Sequence, residues 1–121
     1  MVYIRGMPIV NIRSLPPKDL NIVPAMMAEI RDEGAKALGC ETSNVWVTFE
    51  SLAAYLPENS HPPIVTIKAQ AGRTMEQRTK FVSAVANGVA HGLSIPAKNV
   101  WIHYEEMSPE DIWFNKSWGR T

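Results

Sequence analysis

The sequence is poor in the features that carry most recognisable chemistry. Its one cysteine, Cys40, cannot form an internal disulfide, which fits a reducing compartment. Cys40 follows Gly39, a residue suited to ending a helix, and reads as a buried, inert thiol. No apolar run approaches the ~18 residues needed to span a bilayer. The leading residues lack the apolar core and small-residue cleavage site of a secretory signal, so a cytoplasmic protein with no membrane partner is expected. The 12 basic side chains are balanced by 12 acidic ones, so no basic field draws nucleic acid or an anionic membrane. His61, His91 and His103 have no metal-ligand spacing, and no cysteine cluster joins them. No Gly-x-Ser-x-Gly elbow occurs, and Ala71-Gly72-Arg73-Thr74 lacks the Gly-Lys-Ser/Thr ending of a phosphate loop. Neither a metal nor a cofactor is expected.

What is present is a core-forming composition and a repeat. Of 121 residues, 45% are hydrophobic, enough for one compact domain. At that length roughly two thirds of the unfolded surface can be buried. Pro8-Ile9-Val10-Asn11-Ile12-Arg13 matches Pro63-Ile64-Val65-Thr66-Ile67-Lys68, and Asn44-Val45-Trp46-Val47-Thr48-Phe49-Glu50 matches Asn99-Val100-Trp101-Ile102-His103-Tyr104-Glu105. Both matches have an offset of 55, and the register between them holds without a gap. The chain reads as a single domain made by tandem duplication, with units 8–62 and 63–117.

Each unit has the same plan. Val10 and Ile12, like Val65 and Ile67, alternate with polar residues as strands do over a core. Val45, Val47 and Phe49 alternate likewise, as do Val100, Ile102 and Tyr104. Between the strands, Val82, Val85, Val89 and Leu93 make an apolar helical stripe, and Met27, Ile30, Gly34 and Leu38 occupy the matching positions. That spacing makes Met26 and Met27 core rather than cofactor contacts. Thr74 and Gln77 form a capping box, and Asp19 is the cap candidate of the first helix. Pro24 should bend that helix or delay its start.

The pattern predicts an α/β (α+β) fold: two β-α-β units, four strands, and two helices on one face of the sheet. Each unit implies parallel strands. Trp46 and Trp101 alternate out of phase with the core positions and point to the other face. Large aromatics there are costly to leave in water, so that face is expected to pack against further copies. His91 reads as a surface residue, His103 as structural, and the cluster Glu105, Glu106, Glu110 and Asp111 as a solvated turn.

Pro63-Ile64-Val65-Thr66-Ile67 followed by Gly72-Arg73-Thr74-Met75-Glu76-Gln77 closely resembles the opening of the 4-oxalocrotonate tautomerase family, where proline starts the first strand and Gly-Arg precedes the helix. Met7-Pro8-Ile9-Val10-Asn11-Ile12 resembles the start of such a protein. The resemblance covers nearly the whole chain as two fused units and implies a tautomerase/MIF-like fold assembled as a homotrimer. It also implies a cofactor-independent activity on a small keto or enol acid. An amino-terminal proline is the general base and an arginine binds the carboxylate or dienolate. Carried over by matching positions, Pro8 is the base and Arg73 the binder. Lys18 stands at the matching position of the first unit, where Pro16-Pro17 replaces Ala71-Gly72, and is a substrate-binding candidate that supplements Arg73. Trp113 and Phe114 are candidates for the aromatic pocket wall that the family draws from its C-terminal tail.

Two departures bear on chemistry. Pro8 follows Met7, so its nitrogen is an amide whose lone pair is delocalised. Either translation begins at Met7 and Pro8 is exposed, or the longer chain has lost the proline chemistry. In the second case Tyr3 and Ile4 extend the first strand, with Arg5 and Gly6 near the pocket. Trp46 and Trp101 also stand where the family often carries a further arginine, and Gln70 where dehalogenase-type members would. A tryptophan can stack on substrate or plug the pocket, but it cannot neutralise a carboxylate. A smaller or more apolar acid than a dicarboxylate follows.

Three readings result: a tautomerase acting on a 2-oxo or 2-hydroxy-alkenoic acid, a catalytically silent oligomeric binding protein of the same fold, and a ferredoxin-like ligand-binding domain with the same element order. Adjacency of the first and third strands at the sheet centre is expected of the last.

Overall fold

The computed structural model describes residues 7–119. The first unit runs β1 (Ile9–Ser14), α1 (Ile22–Leu38), β2 (Trp46–Ser51), and the second β3 (Ile64–Gln70), α2 (Met75–Leu93), β4 (Trp101–Met107). A short hairpin follows, β5 (Trp113–Phe114) and β6 (Ser117–Trp118). Its turn residues Asn115 and Lys116 both lie at positive φ, 55° and 61°, as a tight two-residue hairpin requires. Tyr3, Ile4, Arg5 and Gly6, expected to extend the first strand, lie outside the described residues.

The four long strands form one sheet in the order β2-β1-β3-β4. Within each unit the strands are parallel neighbours, and β1 and β3 meet antiparallel at the centre. So β1 and β3 are adjacent, the arrangement expected of a ferredoxin-like domain. That fold, however, splits each β-α-β unit with an intervening strand. Here no strand intervenes, and the ferredoxin-like reading is overturned.

The central pairing has a further regularity. Asn11 faces Thr66, its own equivalent in the other unit, with Val10 facing Ile67 and Ile12 facing Val65. The two units are therefore related by an approximate twofold axis through the Asn11–Thr66 pair. Equivalent residues near that axis lie together, and those far from it lie at opposite ends of the sheet.

The core lies between sheet and helices. Val10, Ile12, Val65 and Ile67 are fully buried, as the alternation required. The helical stripes sit slightly differently from the sequence pattern. Met26 and Phe81 fill the core, whereas Val82 is partly buried and Met27 only half covered. The helices approach closely at glycines. A Cβ on Gly34 would stand 2.8 Å from the Phe81 ring, and one on Gly88 would stand 2.5 Å from Ile30 Cγ1.

The caps are one expected and one corrected. Thr74 Oγ1 accepts from Gln77 N at 3.2 Å, and Gln77 Oε1 accepts from Thr74 N at 2.9 Å. Asp19 does not cap α1. The helix begins at Ile22 after Asn21, and the Asp19 carboxylate accepts from Asn21 N at 2.9 Å in the turn before it. Pro24 then falls in the first helical turn, where a missing N–H costs nothing, so it delays the start. Gly39 ends α1 at φ 67°. His91 is exposed and bridges the helices to Glu29 at 2.8 Å.

The outer face of the sheet carries Trp46 and Trp101 at diagonally opposite corners, 38% and 54% exposed. Asn11, Thr48 and Thr66 occupy its middle, with Asn11 Nδ2 donating to Thr48 Oγ1 at 2.7 Å. His103 lies on this face too, stacked on Trp101 at 6.2 Å between ring centroids.

Candidate active site

Because β1 and β3 are antiparallel, the start of β1 and the end of β3 share one edge of the sheet. Pro8 stands at that edge, fully buried, and its carbonyl accepts from Trp46 N at 3.0 Å. The loop 71–74 leaves β3 at the same edge and carries Arg73. Gly72 is required there, since it adopts φ 109°. Its N–H donates to the Glu106 carboxylate at 3.4 Å, and Ala71 N donates to the Met107 carbonyl at 3.1 Å. The capping box fixes the far side of the loop. Half-buried Arg73 donates from Nη1 to the Gln70 carbonyl at 3.2 Å. One of its five N–H donors is thereby engaged.

Cys40 and Gln70 lie near the Arg73 side chain. Cys40 is half-buried. Burial pushes its thiol above the ordinary value, and the nearby Arg73 charge partly opposes that rise. Gln70 is 3% exposed, and its Oε1 has no hydrogen-bond partner among the described residues. The Tyr104 hydroxyl is likewise buried and unpartnered, while the Arg78 guanidinium lies 4.3 Å from that ring's centroid. No spacing rule announces these groups: Gln70 ends β3 beside the Arg73 loop, whereas Tyr104 pairs with Ile67 at the middle of the strand.

The remaining candidates divide between the two ends. Phe114 packs on Trp46 at 5.6 Å, which places the hairpin at the Pro8 end. Trp113 instead packs edge-on against Trp118 at 5.3 Å and is largely exposed. Lys18 and Trp101 are at the other end of the sheet. Lys18 shares a cavity with Pro63, and Trp101 donates its backbone N–H to the Pro63 carbonyl at 3.4 Å. Within one chain, then, Pro8 and Arg73 share an end, and Lys18 and Trp101 do not join them. Among the described residues no group of His, Cys, Asp and Glu is placed to hold a metal ion, and no helix is long and apolar enough to cross a membrane.

No model of a known protein family matches the chain. A probable tautomerase of Listeria monocytogenes serotype 4b (strain F2365) is 41% identical over 49 residues, which are 40% of this chain and 80% of that protein. The chain belongs to the tautomerase superfamily. Solved structures share the tautomerase fold at low identity. Pt0534 inactivated by 2-oxo-3-pentynoate superposes with a TM-score of 0.82 at 17% identity, over 92% of this chain and 94% of that one. A wild-type fused 4-OT, an asymmetric trimer, superposes with a TM-score of 0.80 at 13% identity, over 91% and 94%. The tautomerase scaffold of two fused β-α-β units is thus the architecture of this chain.

Proposed function

We propose that the protein catalyses enol-keto tautomerisation of a small 2-oxo or 2-hydroxy-alkenoic acid at the Pro8 end, once Pro8 is the amino-terminal residue. The observation that carries this reading is the antiparallel β1–β3 pairing, which brings the Pro8 end of β1 and the Arg73 loop to one edge. A free proline nitrogen is a secondary amine. An α-amino group titrates at roughly 8 in model peptides, and cations with an apolar pocket lower that value towards neutrality. The unprotonated amine takes the enol hydroxyl proton. The C=C electrons then accept a proton at carbon from the prolinium, and the enol oxygen becomes the ketone. Arg73 holds the carboxylate with its remaining donors and stabilises the dienolate oxygen. Domain units 8–62 and 63–117, a cytoplasmic location, cofactor independence and a homotrimer complete the proposal. In the trimer, six β-α-β units surround a threefold axis with the outer sheet faces inward. The trimeric state of a fused 4-OT relative supports this arrangement.

The test compares the chain begun at Met1 with one begun at Pro8, using several enol acids. The Pro8 form should exceed the Met1 form by about 10²–10⁴-fold, the usual contribution of a positioned base. No rate above buffer from the Pro8 form would sink the catalytic claim, and equal rates would remove Pro8 as the base. 2-Oxo-3-pentynoate gives a second readout. Conjugate addition of a free amine to its triple bond forms one N–C bond, with the proton passing to carbon. An adduct on the Pro8 peptide should appear only in the shorter chain.

A second reading has its own observation. In the 121-residue chain Pro8 is fully buried behind an amide bond to Met7, which favours a silent, ligand-binding member of the fold. Within one chain Trp101 does not plug that end, since it lies at the opposite one. Full activity of the Met1 form would exclude this reading.

A further inference from the structure

The approximate twofold axis gives the sheet a second end built from the same parts. It carries Pro8 to Pro63, Trp46 to Trp101, and the position of Arg73 to Lys18. Pro63 is joined to Pro62 wherever the chain begins, so its nitrogen is always an amide and can never be a base. The chemistry is absent at this end, but a cavity is present.

We propose that the Pro63 end is a non-catalytic binding site for a small planar carboxylate. A cavity of about 500 Å³ opens beside Pro63, walled by His61, Ile95, Lys98, Asn99 and Trp101. That volume lies within the range filled by small organic ligands. Among the described residues its titratable lining groups are His61 and Lys98, and no carboxylate lines it. The walls are held in place. Tyr55 Oη donates to the Pro62 carbonyl at 2.9 Å, and its ring meets the His61 ring edge-on at 6.0 Å. Trp101 is stacked against His103, with ring planes 21° apart. A second cavity of about 510 Å³ adjoins the first through His61, Pro63 and Ile95 and is lined by Lys18. Asp19 also lines it, with its carboxylate already accepting from Asn21 N.

The composition defines the ligand. Lys98, with Lys18 beyond it, supplies cationic donors and selects an anion; a lysine ammonium acts as a compact point charge. The indole of Trp101 and the side chain of Ile95 offer flat apolar contact to an aromatic or alkenyl body. A planar arylalkenoic acid such as cinnamate has both parts and has no enol to tautomerise.

The experiment is a titration of the full ¹⁵N-labelled chain with cinnamate, followed by amide chemical shifts. Saturable shifts are expected at His61, Ile95 and Lys98 to Trp101, in addition to any at Gly72 and Arg73, where the proposed active site also takes a carboxylate. Lys98→Gln and Trp101→Leu should each weaken binding about tenfold or more, the effect of losing one charge-assisted or aromatic contact. Both side chains are exposed in a single chain; because Trp101 stands on the outer sheet face that the proposed trimer covers, unchanged sedimentation together with an unchanged circular dichroism spectrum checks assembly and fold. Arg73→Gln should leave the affinity read at Lys98 to Trp101 within about twofold, and neutral cinnamamide should bind there about tenfold more weakly. No saturation at millimolar cinnamate overturns the proposal. So do shifts confined to 72–73, undiminished binding by Lys98→Gln and Trp101→Leu, or equal binding of cinnamamide. Because the readout is binding at Pro63 in the 121-residue chain, failure here leaves the Pro8 assay standing, and failure there leaves this site standing.

Discussion

Replacing Gly88 by alanine tests the helix packing that holds both ends of the sheet. The new Cβ would stand 2.5 Å from Ile30 Cγ1 and 3.6 Å from Ile30 Cα. Ile30 is fully buried, so its side chain has no solvent into which to swing. Overpacking of this kind costs about 1–3 kcal/mol. Alanine returns about 1 kcal/mol of helix propensity over glycine. The net expectation is a loss of about 1 kcal/mol, or about 3–5 °C in Tm for a domain of this size. Thermal melts by circular dichroism read this directly. A double-mutant cycle with Ile30→Ala sharpens it. Ile30→Ala alone should cost about 2–5 kcal/mol through the cavity it leaves. The methyl group introduced by Gly88→Ala would occupy part of that cavity, so the double mutant should be better than the sum by about 0.5 kcal/mol or more. Strict additivity, or a Gly88→Ala protein stabilised by the full helix-propensity gain, would refute the close approach of α1 and α2.

Four further expectations follow from the same geometry. In the chain begun at Pro8, Arg73→Gln should lower kcat/KM for an enol acid by about 10²–10³-fold, the usual cost of one oxyanion-binding donor; an unchanged value removes Arg73 from the site. The raised Cys40 thiol makes a pH prediction. The folded value exceeds the unfolded one, so its contribution to stability is intact below the ordinary thiol value and is lost as pH rises through the folded value. The Tm of the wild type should therefore fall faster than that of Cys40→Ala above the ordinary thiol range, and parallel curves would contradict the burial of Cys40. Thr74→Ala should cost about 1 kcal/mol through loss of the capping box, read as a lower melting temperature. Thr66→Arg puts a charge at the middle of the outer sheet face, and sedimentation should show the proposed trimer giving way to smaller species; an oligomer of unaltered size would place the interface elsewhere.

Much of the fold was legible in the sequence because strand alternation and the 55-residue offset are local, periodic signals. Val10, Ile12, Val65 and Ile67 are buried where alternation put them, and Thr74 and Gln77 form the expected cap. The helical stripe was displaced by a residue at its start, from Met27 and Val82 to Met26 and Phe81. Residues neighbouring on a helix differ by only 100° or so, and the tilt against the sheet decides which is covered. Asp19 has the chemistry of a cap but lies too far before the first helical turn, which Pro24 fixes at Ile22. The candidate site was half legible. Pro8 and Arg73 come to one edge, but Lys18, at the position matching Arg73, comes to the other. Matching positions reveal equivalence and not proximity; proximity depends on the direction in which β1 and β3 pair. The unpartnered Gln70 oxygen and the Arg73–Cys40 neighbourhood depend on the same pairing and were invisible without it.

The segment 52–63, which runs from the end of β2 to the start of β3, has a consequence for concentration. It ties together two units whose central seam would otherwise be an encounter between separate molecules. A tether of this length sets an effective local concentration in the millimolar range. The β1–β3 seam should therefore survive any dilution, while the proposed contacts between chains through the outer face would obey mass action. Dilution would part the copies of the proposed trimer and leave the pair of sheet ends within each chain intact.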